Sequence, residues 1–222
     1  MKLSVRLLAL AWVCLASVAN AGSISGVLVF GDSLSDTGNL HAVLGKPDPP
    51  YFDGRYSNGL LWHEYLAQKL GVPVAKHSLG GGSNEAWAGA ESGILLAPLG
   101  VPNVLTQVAA RLLIKPSVDP SQLVAIWTGG NDYLFGDLDP NQSFPDPAKI
   151  VLNIEVAITA LALAGGKNFL VPNLPLLGNS PIIAEKGQPG DAQKINDSVL
   201  IYNSLLATKL SALESFLGVT IH

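Results

Sequence analysis

Apolar positions along the chain follow two alternating rhythms. Short β-branched and aromatic runs read as buried strands: Ile24–Phe30, with Val27, Leu28, Val29 and Phe30 consecutive, and later Leu123–Thr128 and Asn168–Val171. Val72–His77 predicts a further short strand with Pro73 near its start, and Val219–His222 opens another. Between them the spacing is helical. From Gly59 onward apolar residues fall at 61, 62, 65, 66 and 70, closed by Gly71, with Ser57 and Asn58 expected as N-caps. Asn103–Ile114 repeats the pattern at 104, 105, 108, 112 and 113, and Pro116 stops it. Asp146 followed by Pro147 is a helix start, and positions 150, 151, 154, 157, 158 and 161 line one face up to Gly165-Gly166. A last amphipathic helix covers Ala192–Phe216. Residues 40–58 and 136–147, rich in proline and glycine, are expected to be irregular loops, the second shaping access to the sheet edge. The alternation predicts an α/β fold, a three-layer α/β/α sandwich with a parallel sheet of about five strands.

Composition and charge narrow this to one domain with a leader. Of 222 residues 48% are hydrophobic and 14% charged, enough for a single well-buried core over 22–222. Residues 1–21 read as a secretory signal peptide: Lys2 and Arg6, an apolar stretch Leu7–Val18, then Ala19-Asn20-Ala21 as a small-x-small cleavage site. Twelve apolar residues are too few to span a bilayer. Cleavage would remove Cys14, the one cysteine, so neither disulfide nor thiol chemistry is expected of the mature chain. It would also leave 11 basic against 17 acidic residues, a formal charge of −6. Without a Lys/Arg cluster, that balance argues against nucleic acid and against polybasic attachment to anionic lipid. No further apolar run reaches membrane-spanning length. A secreted or periplasmic protein, not stably inserted in a membrane, is expected.

The chemistry begins directly after the first strand, at Gly31-Asp32-Ser33-Leu34-Ser35-Asp36-Thr37-Gly38-Asn39. A serine at such a corner stands at the carboxyl end of a sheet, where open α/β folds bind ligands; a plain turn capping a helix is the simpler alternative. No Gly-x-Ser-x-Gly occurs, so the nucleophile elbow that carries that motif is excluded. Gly54-Arg55-Tyr56-Ser57-Asn58-Gly59 with Trp62 follows, then Gly80-Gly81-Gly82-Ser83 after the expected second strand, and Gly129-Gly130-Asn131-Asp132 after Leu123–Thr128. The glycine triplet lacks the Lys-Ser/Thr of a phosphate loop. Taken together, and with the Pro172–Pro181 segment, these blocks resemble the GDSL (SGNH) family of esterases and lipases, of the lecithinase and plant-lipase type. The resemblance implies a flavodoxin-like SGNH hydrolase fold and a small-molecule ester or lipid substrate, with no cofactor and no metal. It assigns Ser33 as nucleophile, Gly81 as an oxyanion-donor glycine (Gly80 being the alternative one residue away) and Asn131 as the side-chain donor to the oxyanion. Asp132 reads as a structural partner.

One block is missing. The family places its aspartate and histidine in an Asp-x-x-His segment, and no Asp-x-x-His occurs in the 222 residues. His63 reads as a surface or half-buried helix residue, His77 as a strand end and His222 as a strand residue; His41, in the loop after the serine block, is the least unsuitable base. The domain is expected to lack its C-terminal Asp-x-x-His block, either through incompleteness or through degeneracy. Two functions follow: an exported serine hydrolase acting on carboxylic esters through an acyl-serine, with Ile94–Val101 lining an acyl site, or a non-catalytic lipid- or carbohydrate-binding protein on the same scaffold.

Overall fold

Four strands pair in parallel, in chain order: β1 (Gly26–Gly31), β2 (Gln122–Trp127), β3 (Asn168–Leu170) and β4 (Thr220–Ile221). The computed structural model describes residues 23–136 and 145–222. The leader over 1–21 with Cys14, and residues 137–144 of the second expected loop, lie outside the described residues. The register sets Val27 beside Leu123 and Gly31 beside Trp127, so β1 and β2 end level at the carboxyl edge.

Seven α-helices occur among the described residues: α1 (Asn39–Leu44), α2 (Trp62–Leu70), α3 (Val104–Ile114), α4 (Gly130–Gly136), α5 (Pro147–Leu163), α6 (Pro181–Lys186) and α7 (Asp191–Leu217). The period-2 alternation of the strands divides the core between two faces. Leu28, Phe30, Val124, Ile126 and Phe169 pack with α3, α5 and α7 through Val108, Ile154, Ile158, Leu161, Val199, Tyr202 and Leu206. Val27, Val29 and Ala125 meet α2 through Ala67 and Trp62. Each such side chain withdrawn from water is worth about 1.5–3 kcal/mol. The parallel three-layer expectation therefore holds.

Three local expectations do not. Val72–His77 forms no strand; among the described residues its one bridge is His77 to Asn84. The place beside β1 goes to residues 83–87: Val29 donates to the Ser83 carbonyl at 3.0 Å, Glu85 to Val29 O at 2.7 Å and Trp87 to Gly31 O at 3.1 Å. Asn84, Ala86 and Ala88 are small and buried every second residue, whereas Pro73 has no N–H to give. Residues 40–58 are not wholly loop, because α1 occupies their first positions. Nor do Ser57 and Asn58 cap α2: the Leu61 N–H at its start is held by Glu64 Oε2 at 2.8 Å. Glu64 is itself gripped at both oxygens by Arg55, each contact 2.8 Å.

Candidate active site

The chain leaves β1 through a glycine with no room for anything larger. Gly31 has φ +150°, and a Cβ there would fall 2.3 Å from the Trp127 carbonyl. Gln107 on α3 holds the same residue from the side, accepting the Gly31 N–H at 3.1 Å and donating to its carbonyl at 2.9 Å. The next residues turn tightly: Ser35 and Asp36 N–H groups donate to Asp32 O, and Leu34 N–H donates to Asp32 Oδ1 at 3.0 Å. Ser33 sits half-buried at the crest of this turn, and its own N–H has no acceptor among the described residues.

Asp36 fastens the turn to two other segments. Its Oδ1 accepts the N–H groups of Gly38 (2.8 Å) and Asn39 (2.6 Å), and its Oδ2 those of Leu40 (3.1 Å) and Ala88 (2.9 Å). The first three start α1; the fourth reaches the run beside β1. Asn39 tightens the same seam, donating to Asn84 O at 2.8 Å and Ala86 O at 2.9 Å. Ser35 O accepts from Asn84 Nδ2 at 2.6 Å and His63 Nε2 at 3.0 Å, and Ser35 Oγ from Trp62 Nε1 at 3.2 Å.

The structure separates the sequence-predicted residues. Ser33 and Asn131 share the carboxyl edge: β2 ends level with β1, and α4 begins there with Asn131 buried in its first turn. Gly81 does not join them. Gly81 sits in the tight turn ahead of the 83–87 run, where Gly82 N–H donates to His77 O and Leu79 N–H to Asn39 Oδ1. It is exposed, and its N–H is spent on Ser78 O at 2.8 Å. Gly80 fares no better, since its N–H donates to His77.

The glycine beside a residue that the serine turn holds is Gly89. Trp87 N–H is held by Gly31 O, Ala88 N–H by Asp36 Oδ2 and Ala90 N–H by Trp87 O, while that of Gly89 has no acceptor among the described residues. Gly89 is buried with φ +89°. Asn131 Nδ2 donates to Ala90 O at 2.8 Å, which fixes the amide beside this glycine and leaves its second N–H available. Three N–H donors without an acceptor among the described residues, or with one to spare (Ser33, Gly89, Asn131), thus belong to segments that meet at the carboxyl edge carrying Ser33, as an oxyanion site needs. The signal for Gly89 was the alternation Asn84, Ala86, Ala88 before it; that for Gln107 was an amide on the apolar arc Val104, Val108 of its helix.

Two carboxyls face one another under this edge. Burial pushes Asp32 up to about 7, the nearby Asp132 adding to the rise and the Leu34 N–H opposing it. Asp132 is also raised by burial, and it accepts from Ser92 N–H at 2.9 Å and Ser92 Oγ at 2.6 Å, the structural role expected of it. A raised pKa lets Asp32 take up a proton when an anion forms at Ser33, which weakens the charge that would oppose it.

No histidine is hydrogen-bonded to Ser33 or to a carboxylate among the described residues. His41 is exposed on α1, not in a loop; His77 Nδ1 accepts Gly80 N–H; His222 continues β4 past Phe169. His63 is fully buried, contrary to the expected surface or half-buried place. Its Nε2 carries the proton, because Ser35 O can only accept, and Nδ1 has no partner. Burial lowers its pKa below the ordinary 6.5. The unfolded chain then binds the proton first, so stability is intact above about pH 6.5 and falls below it, by up to ~1.4 kcal/mol per pH unit. Asp32 works in the opposite sense, so the comparison is with His63→Asn: urea midpoints from pH 7.5 to 5 should fall more steeply for the natural chain. Parallel curves would refute the assignment.

A three-layer α/β sandwich with a serine turn at the carboxyl edge of its first strand defines the SGNH hydrolase fold. The chain belongs to the GDSL-like lipase/acylhydrolase family, whose family model matches residues 27–220. It is 34% identical over 185 residues to the phosphatidylcholine-sterol acyltransferase of Aeromonas hydrophila, covering 81% of this chain and 53% of that protein. A GDSL esterase/lipase of Arabidopsis thaliana is 30% identical over 236 residues, covering 87% and 61%. The chain spans about half the length of the curated relatives it matches. Among solved structures, Est24, a carbohydrate acetylesterase from Sinorhizobium meliloti, has a TM-score of 0.54 at 21% identity, covering 89% of this chain and 83% of that one. That likeness is one of fold.

Proposed function

We propose that the carboxyl edge cleaves carboxylic esters, with lipid or short acyl esters as substrates, through an acyl group carried on Ser33. Ser33 Oγ attacks the carbonyl carbon, its proton passes to a base, and the Oγ–C bond forms. The ester C–O bond then breaks, the alcohol leaving with a proton, and water hydrolyses the acyl-serine. The oxyanion is held by the N–H groups of Ser33 and Gly89 and by the Asn131 amide. The observation that carries this reading is the anchored Asn131 amide beside two uncommitted backbone N–H groups at a serine turn. Support for a lipid ester comes from the 34% identity to an acyltransferase named for phosphatidylcholine and sterol. Export is part of the proposal and rests on Lys2, Arg6, the apolar 7–18 stretch and Ala19-Asn20-Ala21.

The base is not supplied by the described histidines. A serine hydroxyl is a weak nucleophile without one, so residues 1–222 are expected to hydrolyse p-nitrophenyl butyrate slowly. The same observation favours the second reading, a lipid- or carbohydrate-binding protein on this scaffold. Asn131→Ala separates them: kcat should fall about 10²–10³-fold with KM nearly constant, while Gly81→Ala leaves both unchanged. A change in KM alone would make Asn131 a binding group and favour the second reading.

A further inference from the structure

β1 is paired along both edges, and on one of them a side chain completes the pairing. Beside the 83–87 run the rungs are Val29 N–H to Ser83 O, Glu85 N–H to Val29 O and Trp87 N–H to Gly31 O. A regular parallel ladder would spend the Gly31 N–H on Glu85 O. That N–H goes instead to Gln107 Oε1 at 3.1 Å, on α3 and 76 positions away in sequence. The amide reciprocates. Its Nε2 donates to Gly31 O at 2.9 Å, beside Trp87 N–H, and to Pro102 O at 3.0 Å. Gln107 therefore stands in for a strand peptide at the last residue of β1, two positions before Ser33.

Gln107 is buried on α3 between Val104 and Val108. An amide so placed is tolerated when its polar atoms are paired, and here Oε1 and both N–H groups are in use. Flipping the amide would set its NH₂ against the Gly31 N–H, so one orientation is fixed. The start of α3 is held from the same edge. Val104 and Leu105 N–H groups donate to Glu91 O and Gly93 O, and Asn103 Oδ1 accepts the Glu91 N–H at 2.8 Å. Ser92, between those two residues, gives its N–H and hydroxyl to Asp132, the neighbour of Asn131. A connected set of hydrogen bonds and short chain segments thus joins the serine turn to the residue beside Asn131. Gln107 is its first link.

We propose that Gln107 is a positioning residue for Ser33. Its amide takes the place of the Glu85 carbonyl on Gly31, turns the chain off the sheet there, and through α3 and Ser92 sets the serine turn against Asn131. The proposal deepens the ester reading and rests on it. Buried, Gln107 offers substrate no surface; what it sets is the direction of the Ser33 hydroxyl relative to the oxyanion donors.

The test compares the full natural chain with Gln107→Leu and Gln107→Glu by fluorophosphonate labelling of Ser33, counted per folded molecule, and by amide hydrogen exchange. Gln107→Leu keeps most of the volume and loses all three hydrogen bonds. Its labelling rate and its kcat on p-nitrophenyl butyrate should fall about 10–10²-fold, the scale of a displacement of about 1 Å, with KM unchanged. The N–H groups of Gly31, Ser35 and Asp36 should exchange faster while those of β2 stay protected. Gln107→Glu adds a pH profile. Protonated, its carboxyl accepts from Gly31 N–H and donates one O–H, as the amide does; ionised, it turns an acceptor toward the Gly31 and Pro102 carbonyls. Taken as a ratio to the natural chain, so that Asp32, Asp132 and His63 cancel, its labelling should be highest at pH 5 and fall about tenfold or more by pH 8.5. A lowered melt with unchanged labelling per folded molecule makes Gln107 a merely structural residue and overturns the proposal. So does a ratio for Gln107→Glu that stays level or rises with pH, or a change in KM alone. If the natural chain neither labels nor hydrolyses the ester, the ester reading fails and exchange decides for Gln107: faster exchange confined to Gly31, Ser35 and Asp36 keeps it as the holder of the turn, and unchanged exchange removes it.

Discussion

Replacing Ser33 by alanine is expected to abolish labelling by a fluorophosphonate and to bring p-nitrophenyl butyrate hydrolysis down to the buffer rate. The neighbouring serine hydroxyls are already committed, and the unpartnered Thr128 hydroxyl is buried. Ser35 Oγ is buried and accepts from Trp62; Ser78 Oγ donates to Asn39 Oδ1; Ser83 Oγ to Val27 O; Ser92 Oγ to Asp132 Oδ1. Ser33 alone combines partial exposure with uncommitted donors beside it. In hydrolases whose nucleophile and base act together, losing the nucleophile costs at least about 10⁴-fold. Here the slow attack expected without a positioned histidine shrinks the observable drop, which makes the covalent label the more decisive readout. Peptide mapping should find the phosphonate on Ser33. Label on Ser78 or Ser83 would place the chemistry with the glycine triplet instead.

That alternative shows where the sequence was legible and where it was not. β1, β2 and the helices α3, α5 and α7 are visible because period 2 and period 3.6 are set by burial within each element, and the turn at Ser33 is visible because glycine ends a buried strand. The resemblance points to Gly81 through Gly81-Gly82-Ser83, and a run of three glycines does mark a close approach of backbone to something. The something is the chain itself: a Cβ at Gly82 would lie 2.0 Å from Lys76 O. Sequence does not distinguish that from a close approach to a ligand. Gly89 was hidden because its importance depends on which run lies beside β1, a non-local choice between Val72–His77 and residues 83–87. Gln107 and Asp36 were hidden for the same reason, since their bonds to Gly31 and Ala88 cross 76 and 52 residues. Even α1 is started by a residue outside it, Asp36, where a search for caps looks at the adjoining position.

Asp36→Asn, a change of one atom, is expected to destabilise the protein by about 2–5 kcal/mol, a large part of the 5–15 kcal/mol that holds a domain folded. Both carboxylate oxygens face backbone donors, Gly38 and Asn39 on one side, Leu40 and Ala88 on the other. An asparagine must turn its own NH₂ toward one pair whichever way it flips. Two buried N–H groups then lose their acceptor and oppose another donor, at about 1–3 kcal/mol each. Burial raises the Asp36 pKa above the ordinary carboxylate value, and the four donors oppose that rise by holding the anion. If the amide turns its NH₂ toward Leu40 and Ala88, Gly89 is displaced as well, and any Ser33-dependent turnover falls further than stability alone explains. Asp132→Asn is the matched control. It is half-buried where Asp36 is fully buried, its partners are one N–H and one hydroxyl of Ser92, and the hydroxyl can rotate to accept from the new amide. Urea midpoints should therefore drop sharply for Asp36→Asn and change by less than about 1 kcal/mol for Asp132→Asn. Equal drops would show that charge and burial alone set the cost, and that the four-donor cradle around Asp36 does not hold the serine turn to the run that carries Gly89.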